Sequence, residues 1–221
     1  MWTPEQVAAT IDHAVLRPAA TAADVQEGCR LAHACRVASI CVRPTDVAQA
    51  RHALTDSPVA VSTVIGFPHG HHRTEVKVLE ARLAVADGAS ELDMVMNVGR
   101  FLTGDDDFVQ ADIEAVTAEA HGRNALVKVI LETCYLDPEQ IARACRLARS
   151  GGADYVKTST GFGDGPATPG AVAVMVRTVG RAMGVKASGG IRTWQQALGF
   201  LDQGCTRLGT GSTQAILEGA P

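Results

Sequence analysis

Asp93, Lys128, Glu132, Lys157 and Lys186 fall at alternate positions of short runs whose intervening residues are apolar. In 91–97, Leu92, Met94 and Met96 share one face while Asp93 and Asn97 share the other. In 126–133, Val127, Val129 and Leu131 oppose Lys128 and Glu132, and Val156 opposes Tyr155, Lys157 and Ser159. Ile40 and Val42 likewise oppose Ser39 and Cys41. A period of two is the mark of a strand with unlike faces. Similar runs lie at 37–42, 59–66, 185–188 and 207–209, and the runs recur at about thirty residues, the length of a strand, a helix and two loops. Ala-rich segments fill the gaps. Thr3-Pro4-Glu5-Gln6, Asp137-Pro138-Glu139-Gln140 and Thr193-Trp194-Gln195-Gln196 each set a capping side chain ahead of Gln at the third helical position.

Repeated β-α units imply parallel strands with right-handed crossovers, hence an open doubly wound sheet or a closed barrel. An open sheet covered by helices on both faces would bury the charged side under a helix. A barrel directs the charges into its centre, where they pair with one another and reach the mouth. With 11–16 as an eighth strand, the sequence predicts an α/β chain: one (β/α)8 TIM barrel over residues 1–221, preceded by a short N-terminal helix.

The remaining composition narrows the partners. A chain of 221 residues with 46% hydrophobic and 20% charged residues fits an ordinary globule. A formal net charge of −4 and 4% aromatic residues argue against nucleic acid. No apolar run reaches the roughly 20 residues a bilayer requires, and no signal peptide is visible at the N-terminus, so the expectation is a cytoplasmic protein without membrane contact. Cys29, Cys35, Cys41, Cys134, Cys145 and Cys205 form no CxxC pair and read as reduced, buried thiols.

In such barrels the chemistry sits at the C-terminal strand ends, with phosphate often bound after strands seven and eight. Both loops are Gly-rich here: Ser188-Gly189-Gly190-Ile191-Arg192 and Gly209-Thr210-Gly211-Ser212. Glycines let backbone N–H groups approach an anion closely, although they also serve simple turns. Lys157 and Lys186 lie on neighbouring strands with inward parity. Two ammonium groups held close repel, and a neutral lysine is a nucleophile for a carbonyl carbon. The competing reading is an ion network in which Asp93 and Glu132 neutralise both lysines. Asp93 could orient a lysine and shuttle protons; Asp12 is either a second polar group at the mouth or a cap. Lys128 has the right parity but a deeper position. His69, His71 and His72 occupy a loop with no carboxylate at ligand spacing, so no metal site is expected. Cys41 points inward, open to alkylation by aldehydes or simply packed.

Taken in order, Ile11-Asp12-His13, Ser39-Ile40-Cys41-Val42, Val64-Ile65-Gly66-Phe67-Pro68, Glu91-Leu92-Asp93, Lys128-Val129-Ile130-Leu131-Glu132-Thr133, Lys157-Thr158-Ser159-Thr160-Gly161-Phe162, Lys186-Ala187-Ser188-Gly189-Gly190 and Gly209-Thr210-Gly211-Ser212 resemble the class I deoxyribose-phosphate aldolases over nearly the whole chain. The resemblance implies reversible cleavage of 2-deoxy-D-ribose 5-phosphate to D-glyceraldehyde 3-phosphate and acetaldehyde, without metal or organic cofactor. It implies Lys157 as the Schiff-base lysine, Lys186 as the lysine that depresses its pKa, and Asp93 as the proton relay. Asp12, Gly161, Gly189, Gly190, Gly209 and Ser212 fall in the substrate and phosphate site. Ala14 replaces a frequent Thr, Arg17 a usual Lys and Gly211 a frequent Ser, and many members carry a C-terminal Tyr where this sequence reads Gly219-Ala220-Pro221. Small-molecule phosphosugars and aldehydes are the expected partners, with a homodimer possible, although no exposed apolar stripe stands out in the sequence to mark its interface. Other lysine-dependent aldolases acting on keto acids or ketose phosphates, and a phosphosugar-binding barrel without chemistry, remain the alternatives.

Overall fold

The computed structural model describes residues 2–221. The order is α1 (Pro4–Ala8), β1 (Ile11–Val15), α2 (Ala22–Cys35), β2 (Ser39–Val42), α3 (Val47–Ala53), β3 (Ala60–Ile65) and α4 (Thr74–Ala86), then β4 (Glu91–Val95), α5 (Val98–Leu102), α6 (Asp106–His121), β5 (Leu126–Ile130) and α7 (Pro138–Ser150). It ends with β6 (Tyr155–Lys157), α8 (Pro169–Val179), β7 (Gly184–Ser188), α9 (Trp194–Leu201), β8 (Arg207–Thr210) and α10 (Thr213–Glu218). All eight strands are parallel and β8 pairs with β1, which closes a (β/α)8 barrel.

The three capping boxes read from the sequence start α1, α7 and α9, and a fourth, Thr21 with Asp24, starts α2. Outward-facing Leu92, Met94, Val127, Val129 and Val156 are fully buried against the helices. Each such side chain contributes about 1.5–3 kcal/mol of hydrophobic stabilisation. Their inward neighbours line up across the barrel, with Asp93 beside Lys128, Lys157 beside Lys186 and Lys186 beside Arg207. Gly184 has no side chain because a Cβ there would lie 2.1 Å from the Tyr155 ring, which fills the barrel beside Arg207.

Several strands stop sooner than their alternation predicts. β5 ends at Ile130, just before Glu132 turns into the left-handed region (φ 54°), and β6 ends at Lys157. Four cysteines are buried as expected, but Cys35 is half-buried and Cys134 is exposed in the turn Thr133–Tyr135. Among the described residues no helix is long and apolar enough to cross a membrane.

Candidate active site

Seven ionisable side chains meet inside the barrel. Asp93 on β4 accepts from Lys157 Nζ and Lys186 Nζ on the same oxygen, Oδ2, each at 2.7 Å, and from Lys128 Nζ on Oδ1 at 2.9 Å. Lys128 also reaches Glu91 at 2.6 Å and Asp12 at 3.6 Å. Lys186 donates to Asp12 Oδ2, while Arg207 bridges Asp12 Oδ1 at 2.5 Å and Glu91 at 2.8 Å. Asp12 is therefore an interior residue of β1 and not a cap.

Lys128, Lys157, Lys186 and Arg207 stand against three carboxylates, Asp12, Glu91 and Asp93. One cation has no carboxylate of its own, and in a low-dielectric interior the excess charge is costly. Lys128 has three carboxylates within reach and Lys186 two; Lys157 has one, shared. The titration follows the same order. Burial pulls the Lys157 amine below the ordinary lysine range, Asp93 opposes this, and Lys186 adds to it. For Lys186 burial is outweighed by Asp12 and Asp93, and it ends above the lysine range; Lys128 ends well above it. Mutual repulsion thus does not lower both lysines, as the sequence led us to expect. Burial dominates at Lys157, and only that amine is moved toward neutrality. Asp93, although buried, is held well below the carboxylate range by the three lysines.

Glu132 corrects another expectation. It pairs with no lysine; its carboxylate accepts from Thr160 N–H at 3.1 Å and Thr160 Oγ1 at 2.5 Å, and so ties down the loop after β6. Glu91 and Arg207 were overlooked in the sequence, although Glu91 shares the parity of Asp93 and Arg207 that of Gly209.

Above the network opens a cavity of about 720 Å³. Lys157, Lys186 and Asp12 form its floor, and Gly161, Gly189, Gly190, Gly209 and Ser212 all line it. Asp93 does not; the two lysines cover it. Gly189 and Gly190 both have positive φ, 92° and 79°, which a residue with a side chain rarely adopts. At Gly209 the constraint is space: a Cβ would lie 3.0 Å from Lys186 Cε and 2.8 Å from Ser188 Cβ. Ser212 donates its N–H to Thr210 Oγ1 at 2.9 Å, so its hydroxyl is what it can offer an anion. Arg17 and Arg192 stand at the rim, as do Glu27 and Asp24, the latter 3.8 Å from the Arg17 guanidinium. Cys41 also lines the cavity, its thiol pushed up by burial and by Asp93. His69, His71 and His72 lie exposed in the loop between β3 and α4, the first two rings stacked at 5.4 Å and the His71 and His72 rings tilted by 30° at 5.6 Å, away from this cavity's lining.

The chain is similar to known proteins over most of its length. Residues 6–206 match the pattern described as DeoC/LacD family aldolase. A deoxyribose-phosphate aldolase of Thermococcus gammatolerans is 50% identical over 216 residues, covering 97% of this chain and 96% of that protein. One from Geobacillus sp. is 50% identical over 213 residues, with 96% and 95% covered. Among solved structures, the tetrameric deoxyribose phosphate aldolase of Aeropyrum pernix superposes with a TM-score of 0.92 at 33% identity, covering 98% of this chain and 91% of that one.

Proposed function

Since the chain belongs to the DeoC/LacD family of aldolases, we propose that it cleaves 2-deoxy-D-ribose 5-phosphate reversibly to D-glyceraldehyde 3-phosphate and acetaldehyde, with Lys157 as the covalent nucleophile. The observation that carries the assignment is the buried Lys157 amine, which shares its one carboxylate oxygen with Lys186 and is lowered below the ordinary lysine range. The neutral amine adds to the aldehyde carbon, C1, of the open-chain sugar, and the resulting carbinolamine loses water to give the iminium. The C3 hydroxyl gives up its proton and the C2–C3 bond breaks. Its electron pair moves into the iminium, which becomes an enamine, and the phosphorylated aldehyde leaves. Protonation at C2 restores an iminium, and water releases acetaldehyde and the free amine. The iminium itself is the electron sink, so the chemistry requires no metal or organic cofactor.

Lys186 and Asp12 reach the cavity and supply the proton transfers, while Asp93 acts from behind the lysines by fixing both amines. Gly161, Gly189, Gly190, Gly209 and the Ser212 hydroxyl surround the phosphate, with Arg192 drawing it in. The closure of all eight units on one barrel supports reading the chain as a single domain. We take it to act in the cytoplasm as a homodimer on small phosphosugars and aldehydes, without nucleic-acid or membrane partners.

Incubation with acetaldehyde and borohydride, followed by peptide mapping, tests the nucleophile. An ethyl group on Lys157 is the expected product. The same adduct on Lys128, or retention of the label in Lys157→Leu, would move the nucleophile elsewhere. A labelled lysine with keto acids but not acetaldehyde would replace the substrate assignment.

A further inference from the structure

The turn from β8 into α10 is held at both ends by side chains that the reaction does not use. Thr210, the last residue of β8, is buried and donates its hydroxyl to the Ile191 carbonyl at 2.7 Å, which ties it to the loop after β7. Thr213, the first residue of α10, is fully enclosed, and its hydroxyl lies 2.9 Å from Nδ1 of His13 on β1. Between them Gly211 passes over β1, where a Cβ would stand 3.3 Å from the Ala14 carbonyl oxygen. Ser212 does little to place itself: its N–H goes to Thr210, and its side chain does not cap α10. Where its hydroxyl sits is therefore decided by its neighbours.

His13 is the part of this clamp that comes from far away in the chain. Asp12 and Ala14 take the inward parity of β1, so His13 faces the layer between barrel and helices, where β4 and β5 present Leu92, Met94, Val127 and Val129. A polar ring in that layer needs a partner. His13 stands beside Thr210 in the β1–β8 ladder, yet its ring reaches on to Thr213. Helix α2 closes the other side: a Cβ at Gly28 would lie 3.6 Å from His13 Cδ2 and 2.6 Å from Val15 Cγ2, so only glycine lets the helix come down on the ring. The imidazole is wedged between α2 and α10 in one orientation. Burial pulls it below the ordinary histidine range, so near neutrality both partners of the His13–Thr213 bond are uncharged.

We propose that His13 is a positioning residue for phosphate recognition: through Thr213 it fixes the Ser212 hydroxyl against the phosphate of deoxyribose 5-phosphate and takes no part in the chemistry at Lys157. This role rests on the substrate assigned above and adds the residue that holds the phosphate end in register with β1.

Steady-state kinetics with deoxyribose 5-phosphate and with unphosphorylated deoxyribose test it, with a thermal melt and borohydride trapping of acetaldehyde on Lys157 as controls for folding. His13→Leu and Thr213→Val should each raise KM for the phosphosugar about three- to tenfold, as for one hydrogen bond, and leave kcat/KM for deoxyribose within about twofold of the wild type. The double variant should lose no more than either single one, because both remove the same bond. His13→Asn, whose amide falls where Nδ1 does, should recover most of the loss; His13→Gln, whose amide falls where Nε2 does, should not. Losses of equal size for both sugars would reduce His13 to a packing residue. Additive losses, or recovery with Gln in place of Asn, would break the link through Thr213. A wild type that does not favour the phosphorylated sugar would overturn the substrate assignment itself, and the positioning role with it.

Discussion

Lys157 and Lys186 place their amines on one oxygen of Asp93, each 2.7 Å from it, while the other Asp93 oxygen belongs to Lys128. The geometry forces a choice, since one oxygen cannot fully compensate two ammonium groups out of water. Lys186 keeps its proton because Asp12 takes the other side of it. Lys157 has no such second partner.

This asymmetry sets the pH dependence. The folded-state value of Lys157 lies below the 10.5 of a free lysine, so the neutral amine persists to lower pH than in solution, and trapping should fail only as pH drops through the lowered value. The sign for stability is linked: the unfolded chain binds more protons in the window between the lowered value and 10.5, so this residue favours folding more as pH rises through it. Lys186→Leu removes a charge that lowers Lys157 and leaves Asp93 to hold it protonated. The acid limb of the kcat/KM profile should move to higher pH, with activity at neutral pH lower by about 10²–10⁴-fold once proton transfer is also lost. Asp93→Asn should move the same limb to lower pH, since Asp93 raises Lys157. Limbs that do not move in opposite directions would contradict the arrangement.

Gly209→Ala tests the packing between the second lysine and the loop after β8. The new methyl would sit 3.0 Å from Lys186 Cε and 2.8 Å from Ser188 Cβ, so the lysine stem has to shift. Overpacking of this kind costs about 1–3 kcal/mol of stability. Turnover should fall, and because Gly209 also lines the phosphate site KM for the phosphosugar should rise with it, as read from steady-state kinetics beside a denaturant melt.

The barrel and its inward charges were legible because alternation reports which face a strand residue occupies, and eight such strands leave charged residues no other shelter. The capping boxes at Thr3, Asp137 and Thr193 were legible for the same local reason. Partner choice inside the barrel was not. Parity places Glu132 on the lysine side, but the left-handed turn at that residue swings its carboxylate to Thr160, a contact 28 residues away that depends on where β6 ends. Arg207, at the start of β8, carried the right parity but no motif, and its two carboxylates come from the adjacent β1 and from β4 across the barrel. The exposure of Val76, Leu79 and Leu83 on α4 was not legible, because valine and leucine in a helix read as core until Lys77 is seen to occupy the buried side.

Glu132→Ala would release Thr160, whose hydroxyl in turn receives the Phe162 N–H at 3.0 Å. An unpaired buried N–H costs about 1–3 kcal/mol. The loop also carries Gly161, so KM for deoxyribose 5-phosphate should rise several-fold, while Glu132→Gln, which keeps an acceptor for Thr160, should recover most of it. Equal KM values in both variants would separate the loop from substrate binding.

Arg192 at the cavity rim gives the cleanest separation of phosphate recognition from chemistry. It is exposed, so its attraction for a dianion is screened by salt and acts mostly on encounter. Arg192→Ala should raise KM for deoxyribose 5-phosphate at low ionic strength and converge on the wild type as salt is added. Kinetics with unphosphorylated deoxyribose should be the same in both proteins, because Lys157, Lys186 and Asp93 lie below the rim and keep their contacts. A loss of equal size for both sugars would assign Arg192 to the shape of the loop after β7 instead of to the phosphate it faces.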